Sequence, residues 1–307
     1  MRALFLTPIK EEKKELFKDV ECIFKDRNSV TQDDFHDIDI VFGNPKIDMI
    51  NQSHVKWLQL DSAGANHMQG LREDIILTNA KGAYNISISE HLLAYTLFTT
   101  KKLFEYEKAQ RKHEWNNLGA IPTLSELTIV VVGLGNIGST YAKMMHSLGS
   151  TVYGVTRNEH DKPDYVEGIY TFNEMDEVLP KADIVVLVMP QTKETIHMFD
   201  YERFHKMKQG SIIMNVGRGS AIVENDLVKV MKEHYLSYAC LDVTEHEPLP
   251  KNVDLWNIEN VYITPHISGT FNTDVSYDTV IDIMQRNLQH YLKNESLENI
   301  VNRELGY

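Results

Sequence analysis

Short apolar runs alternate with helix-length stretches along the whole chain, a pattern that predicts parallel sheets covered by helices. In the first third the runs are RALFL (2–6), VECIF (20–24), DIVF (39–42), KWLQL (56–60) and IILT (75–78). Next comes SISEHLLAYTLFTTKKLFEYEKAQRK, which has no Gly or Pro. Its Leu92, Leu93, Leu97, Leu103 and Phe104 recur at roughly helical spacing. That spacing predicts one long helix from about 87 to 110, with the crossing between two domains near it. A second set of runs follows: LTIVVVG (127–133), TVYGV (151–155), DIVVLVM (183–189), SIIMNV (211–216), SYACLDV (237–243) and VYIT (261–264). These are almost continuously apolar, as strands buried on both faces are. NIGSTYAKMMHSLG and VENDLVKVMKEH fit as helices between them. The last helical pattern, about 272 to 293, has no strand after it and is expected to return the chain to the first domain. The fold class is therefore α/β, with two doubly wound parallel-sheet domains. One comprises residues 1–94 and 281–307; the other, inserted in it, comprises 95–280.

Length and composition narrow the partners. A chain of 307 residues exceeds one usual core and points to two domains. Hydrophobic content of 42% and charged content of 24% are ordinary for a globular protein. A net charge of −13 argues against nucleic acid, which wants clustered Lys and Arg. A small anionic substrate still fits, because a local basic pocket can sit within an acidic surface. No apolar run is long enough to span a bilayer, so no membrane partner is expected. MRALFLTPIKEEKKE turns charged after a few apolar residues and reads as a first strand, not a signal peptide. Cys22 and Cys240 are far apart and lack metal-ligand spacing. They suggest a reducing cytoplasm, two small buried thiols and no metal.

The clearest motif is GLGNIG, with Gly133, Gly135, Asn136, Ile137 and Gly138, between an apolar strand and a helix. The first glycine permits a tight turn. The second lets backbone approach a pyrophosphate, and the third lets helix and strand pack closely. The helix start offers free N–H groups and a positive dipole end. This context marks a dinucleotide-binding Rossmann unit. The end of the second strand in such a unit normally carries an acid that grips the ribose. Here GVTRNEH places Thr156 and Arg157 instead. Thr156 removes repulsion toward a 2′-phosphate and can donate a hydrogen bond. Arg157 offers a planar fork to that phosphate and a face for adenine. NADPH is therefore expected to be preferred over NADH, with NAD possible.

Three further residues follow buried strands, where ligands of open α/β sheets lie. Arg218 stands between Gly217 and Gly219 in NVGRGSAIVENDL. Asp242 ends a strand in ACLDVTEHEPLP, with Glu245, His246 and Glu247 in the loop before Pro248. His266 follows Pro265 in VYITPHISG. Each is unremarkable singly. An arginine, a carboxylate and a histidine at the ends of successive strands, beside a dinucleotide loop, suit hydride transfer to a carbonyl next to a carboxylate. Hydride addition creates an alkoxide that needs a proton. A histidine held by a carboxylate supplies it. Arg218 holds the substrate carboxylate and polarises the carbonyl.

These motifs resemble the D-isomer-specific 2-hydroxyacid dehydrogenases over essentially the whole chain. The resemblance implies a flavodoxin-like substrate domain around the Rossmann domain. It implies Arg218, Glu247 and His266 as catalytic residues, with Asp242 near the nicotinamide. It extends the cofactor site to Pro190, Val216, Gly217 and Ser268, and LDSAGANHM resembles the loop whose N–H groups at Ala63 and Gly64 bind the substrate carboxylate. A short first domain, the residues after YGV, EPLP and the C-terminal RELGY are similar to the NADPH-preferring glyoxylate/hydroxypyruvate reductase branch. That branch implies reduction of glyoxylate, hydroxypyruvate or pyruvate by a homodimer, with the long helix in its interface. Two alternatives stay open. One is an NAD-dependent enzyme for a larger acid such as phosphoglycerate. The other is a non-catalytic cofactor sensor, which has no need of Glu247 with His266.

Overall fold

The structure, a computed structural model, describes residues 1–159, 161–271, 273–303 and 306. His160 of GVTRNEH and Glu304, Leu305 and Tyr307 of RELGY lie outside the described residues. The chain forms two compact units, Met1–Tyr84 with Thr270–Tyr307, and Asn85–Gly269. Each is an α/β layer structure around a parallel sheet.

In the first unit the strands are β1 (Arg2–Phe5), β2 (Glu21–Phe24), β3 (Ile40–Phe42), β4 (Trp57–Gln59) and β5 (Ile76–Thr78). They lie in the order β2-β1-β3-β4-β5, all parallel. This is the flavodoxin-like order expected from the sequence. A short helix α1 (Ile47–Asn51) follows β3. Aromatic rings tie the strands together. Phe5 stacks on Phe24 at 5.0 Å and on Phe42 at 4.6 Å, and Trp57 meets Phe42 at 5.3 Å. Burying a side chain such as Phe5 or Phe42 stabilises by about 1.5–3 kcal/mol.

The second unit opens with α2 (Asn85–Thr100) and α3 (Leu103–Arg111). One long helix was expected here; the structure breaks it at Lys102, which is left-handed with φ 52°. The cause lies in the preceding turns. The hydroxyls of Thr96, Thr99 and Thr100 donate back to the carbonyls of Leu92, Tyr95 and Thr96. Such back-bonds loosen a helix. The amines of Lys101 and Lys102 then cap the carbonyls of Pro122 and Leu118.

The second sheet contains β6 (Thr128–Val132), β7 (Thr151–Thr156), β8 (Gly168–Thr171), β9 (Ile184–Leu187), β10 (Ile212–Asn215), β11 (Tyr238–Leu241) and β12 (Val261–Ile263). Its order is β12-β11-β10-β9-β6-β7-β8, parallel throughout. Strand order reverses between β6 and β9, the topological switch point where Rossmann units bind ligand. Between the strands lie α4 (Asn136–Ser147), the one-turn α5 (Met175–Val178) and α6 (Tyr201–Phe204), and α7 (Glu224–Lys232). The core joins Val130, Val132, Val185, Leu187 and Ile213 to helix residues such as Leu227 and Val230. β8 was not expected: GIYT is short and half-buried at a sheet edge, so it lacks the apolar run of its neighbours.

Helix α8 (Asp274–Leu292) belongs to the first unit, where Tyr291 stacks on Trp57 at 5.0 Å. The units divide at 84/85 and 269/270, ahead of the 94/95 and 280/281 expected from sequence. The physical reason is that α2 packs on α4: Thr96 Oγ1 lies 2.6 Å from Tyr141 OH, and Ser89 Oγ donates to Ile137 O at 3.3 Å. Among the described residues no helix is long and apolar enough to cross a membrane.

Candidate active site

The glycine turn follows β6 directly. Gly133 has φ 102°, a conformation that favours glycine. A Cβ at Gly138 would lie 1.9 Å from Gly133 O, so the first turn of α4 presses against the strand end. A Cβ at Gly135 would meet nothing within 4 Å. Gly135 is the N-cap of α4 and supplies no side-chain cap. The N–H groups at the start of α4, Asn136 and Ile137 included, therefore have no side-chain cap at a positive helix end. A turn that is tight at its first glycine, open at its second and packed at its third fits a pyrophosphate. Gly133, Gly135, Asn136, Ile137 and Gly138 would hold it.

Thr156 ends β7 and Arg157 follows it. The Thr156 hydroxyl donates to Asn158 O at 2.7 Å. That bond closes the turn that follows β7. Arg157 Nε lies 2.7 Å from Glu194 Oε2, a carboxylate that the motif reading did not single out.

Arg218 leaves β10 in a turn stapled by buried Asn215. Asn215 Oδ1 accepts from Gly217 N at 3.0 Å, and its Nδ2 donates to Arg218 O at 3.0 Å. Arg218 Nη1 donates to Gly217 O at 2.7 Å. Burial pulls the guanidinium below its ordinary pKa, and the nearby Glu247 carboxylate opposes that. A Cβ at Gly219 would lie 1.9 Å from Thr244 O, so the turn holding Arg218 touches the loop holding Glu247, backbone to backbone.

Glu247 and His266 meet. His266 Nδ1 lies 2.7 Å from Glu247 Oε2, and Glu247 Oε1 accepts from Thr244 N at 3.2 Å. Both carboxylate oxygens are held, and the imidazole is oriented with Nδ1–H toward the acid. That leaves Nε2 to face a ligand. His266 itself is left-handed, φ 53°, and its N–H bonds to Asp242 O at 2.8 Å and Thr264 O at 2.9 Å.

Asp242 explains why this strained turn holds. Its Oδ1 accepts from Thr264 Oγ1 at 2.6 Å and Ile267 N at 3.0 Å. Its Oδ2 accepts from Ser268 N at 3.1 Å and from the Ser268 hydroxyl. A carboxylate has about four acceptor sites, and these donors fill them. Asp242 and Ser268, expected at the cofactor, hold the His266 segment. Two residues of α2 join this network unannounced by any motif. Tyr95 OH and His91 Nε2 lie 2.7 and 3.3 Å from Thr264 Oγ1. Burial lowers the His91 pKa, against the pull of Asp242. The only advance sign was a polar pair one helical turn apart among leucines.

Of the remaining cofactor expectations, Pro190 follows β9 and its carbonyl accepts from Thr195 Oγ1 at 2.7 Å. Val216 is buried just after β10, and a Cβ at Gly217 would lie 2.7 Å from Met189 O. No metal ligand was expected. Among the described residues Glu224, Glu245 and His246 bring donor atoms within 4.8 Å of one another. Glu245 also takes His197 Nε2 at 2.7 Å, and burial raises the Glu224 pKa.

In the first unit the loop of Ala63 and Gly64 is tied down by its carbonyls. Asn79 Nδ2 donates to Ala63 O at 2.8 Å and Ser62 Oγ to Gly64 O at 2.8 Å. These bonds use the loop's acceptors and not its N–H groups. Buried Asp61 anchors the loop, accepting from Thr7 Oγ1 at 2.9 Å and from Asn44 Nδ2. Burial raises its pKa, and the Thr7 bond opposes this.

The comparisons with known proteins give the family and the fold. The family described as D-isomer specific 2-hydroxyacid dehydrogenase, NAD binding domain, matches residues 93–268. The chain is 31% identical, over 260 residues, to a glyoxylate reductase of Thermofilum pendens (82% of this chain, 76% of that one). Its fold is similar to a D-isomer specific 2-hydroxyacid dehydrogenase family protein of Aeromonas salmonicida, with TM-score 0.89 and 28% identity over 98% of this chain and 99% of that one. It is also similar to a probable 2-hydroxyacid dehydrogenase of Rhizobium etli solved with NADP, HEPES and L(+)-tartaric acid. There the TM-score is 0.82 and the identity 26%, over 100% of this chain and 99% of that one.

Proposed function

The chain belongs to the D-isomer specific 2-hydroxyacid dehydrogenase family and is an oxidoreductase of that family; on this premise we propose that it reduces small 2-oxo acids, with glyoxylate, hydroxypyruvate and pyruvate as candidates and NADPH as the preferred cofactor. The observation that carries the reading is the Glu247–His266 pair beside Arg218, at the ends of neighbouring strands. The relative named glyoxylate reductase and the relative solved with NADP support the substrate class and the cofactor.

The nicotinamide dinucleotide, when bound, supplies the hydride. Arg218 binds the substrate carboxylate through its fork and draws electron density toward the carbonyl oxygen. As the carbonyl carbon becomes tetrahedral, its oxygen takes a proton from Nε2 of His266. Glu247 keeps Nδ1 protonated, so the ring presents Nε2 as the donor and does not lose that orientation when neutral. For the first unit, the Ala63 and Gly64 N–H groups are proposed to donate to an anionic ligand. Where the product is chiral, the D-2-hydroxy acid is expected.

A homodimer is part of the proposal. It is supported by Trp115, whose side chain is wholly exposed, and by exposed Leu103 and Ile121 in the same region. A cytoplasmic location is supported by Cys22 and Cys240 standing as free thiols. The test is a panel of 2-oxo acids assayed with NADPH and with NADH. Consumption of NADPH with glyoxylate, lost in His266→Gln, is the expected result. A protein that binds NADPH but turns over none of the acids would favour the cofactor-sensor alternative.

A further inference from the structure

Arg157 and Glu194 come from different loops. Arg157 directly follows β7, and Glu194 lies in the loop after β9. In the sheet these strands flank β6, whose carboxyl end becomes the glycine turn. The 2.7 Å contact between Arg157 Nε and Glu194 Oε2 therefore ties two loops together across the mouth of that turn. Glu194 is not placed there by a wandering backbone. Its loop is braced by Thr195 Oγ1, which donates to Pro190 O at 2.7 Å and accepts from Thr192 N at 2.8 Å. The acid missing from the end of the second strand is thus supplied in space by another loop.

We infer that Glu194 is a specificity-determining residue that competes with a dinucleotide 2′-phosphate for the Arg157 guanidinium. This rests on the proposed reading that Arg157 meets the adenosine ribose. With a 2′-hydroxyl ligand the ion pair stays closed, and the second oxygen of Glu194 is left to accept from the ribose. With a 2′-phosphate, a doubly charged group displaces a singly charged one. The magnitudes allow it. Both side chains are partly exposed, 39% and 50%, so their pair holds by about five-fold at most. A charge-assisted bond from arginine to phosphate is worth about 10- to 150-fold. The phosphate wins, but its margin is trimmed by the pair it opens. The protein consequently prefers 2′-phosphorylated dinucleotides without excluding the others.

The test measures binding of adenosine 2′,5′-bisphosphate and of 5′-AMP to the full-length protein by calorimetry. It needs no turnover. Glu194→Gln should tighten adenosine 2′,5′-bisphosphate about two- to five-fold and leave 5′-AMP unchanged or weaker. Arg157→Ala should weaken the bisphosphate about 10- to 150-fold and change 5′-AMP little. If Arg157→Ala weakens the bisphosphate but Glu194→Gln leaves it unchanged or weaker, Glu194 only orients the arginine and the inference fails alone. If Arg157→Ala does not weaken the bisphosphate, the reading of Arg157 falls and takes this inference with it.

Discussion

His266 Nδ1 and Glu247 Oε2 stand 2.7 Å apart, with the other Glu247 oxygen held by Thr244 N–H. The carboxylate can only accept, so it fixes the tautomer of the ring. Glu247→Gln keeps the shape but can present an N–H to Nδ1, which selects the wrong tautomer. Turnover should fall by between about ten-fold and the ~10²–10⁴-fold expected of His266→Gln, with dinucleotide affinity unchanged. Steady-state rates, together with nitrogen NMR of the His266 ring, check both halves of that statement.

Arg218→Lys keeps the charge and loses the fork. The loss of a charged hydrogen bond should cost about 10- to 150-fold in kcat/KM for the 2-oxo acid. Binding of NADPH should change little. Were neutral ketones as good substrates of the wild type as oxo acids, the carboxylate clamp would be refuted.

Asp242 gives a pH signature. Burial pushes its carboxyl up, but the Ser268 and Thr264 side chains and the Ile267 and Ser268 N–H groups outweigh burial and hold it below the ordinary Asp range. A depressed folded-state pKa contributes stability above the unfolded value of about 3.9 and loses it as pH falls through the folded value. Asp242→Asn should therefore be less stable than wild type at neutral pH by about 1–3 kcal/mol. The gap should close only below about pH 3.9. Thermal unfolding across acidic and neutral pH measures it, and a gap that does not shrink in acid would show that the charge is not what holds the segment.

The glycine turn separates packing from binding. At Gly138 a Cβ would overlap Gly133 O, whereas at Gly135 it meets only open space. Gly138→Ala should destabilise by about 1–3 kcal/mol or more. Gly135→Ala should stay within about 1 kcal/mol of wild type and yet lose dinucleotide affinity, because its methyl would stand where the phosphates are proposed to approach. Melting curves and dinucleotide titrations of the two variants should give opposite rankings.

Much of this was legible from the chain because the relevant forces are local or periodic. Val130, Val185 and Ile213 sit in runs so apolar that only buried parallel strands accommodate them, and the Gly133–Gly138 spacing states its own turn. The Glu247–His266 pair was reachable because each residue follows a strand end. Harder to read were features that depend on competition or distance. Thr96, Thr99 and Thr100 look compatible with a helix until their hydroxyls turn back on it. β8 is marginal because, at the sheet edge, its residues are only half-buried. Arg157 and Glu194, and His91 with Thr264, are matched by folding, and no spacing along the chain announces the pairs that the fold brings together. Asp242 was seen, but a carboxylate's partners decide its task, and those partners become known only in three dimensions.

The contact between Gly219 and Thr244 bears on how this candidate site can be remodelled. Main chain meets main chain there, with no side chain to shorten or lengthen as a spacer. The gap between the Arg218 turn and the Glu247 loop is thus outside the reach of point substitution, except by forcing the two apart. A library aimed at longer or bulkier acids would be wasted on that side. It belongs on positions whose side chains, unlike this seam, have room to be exchanged.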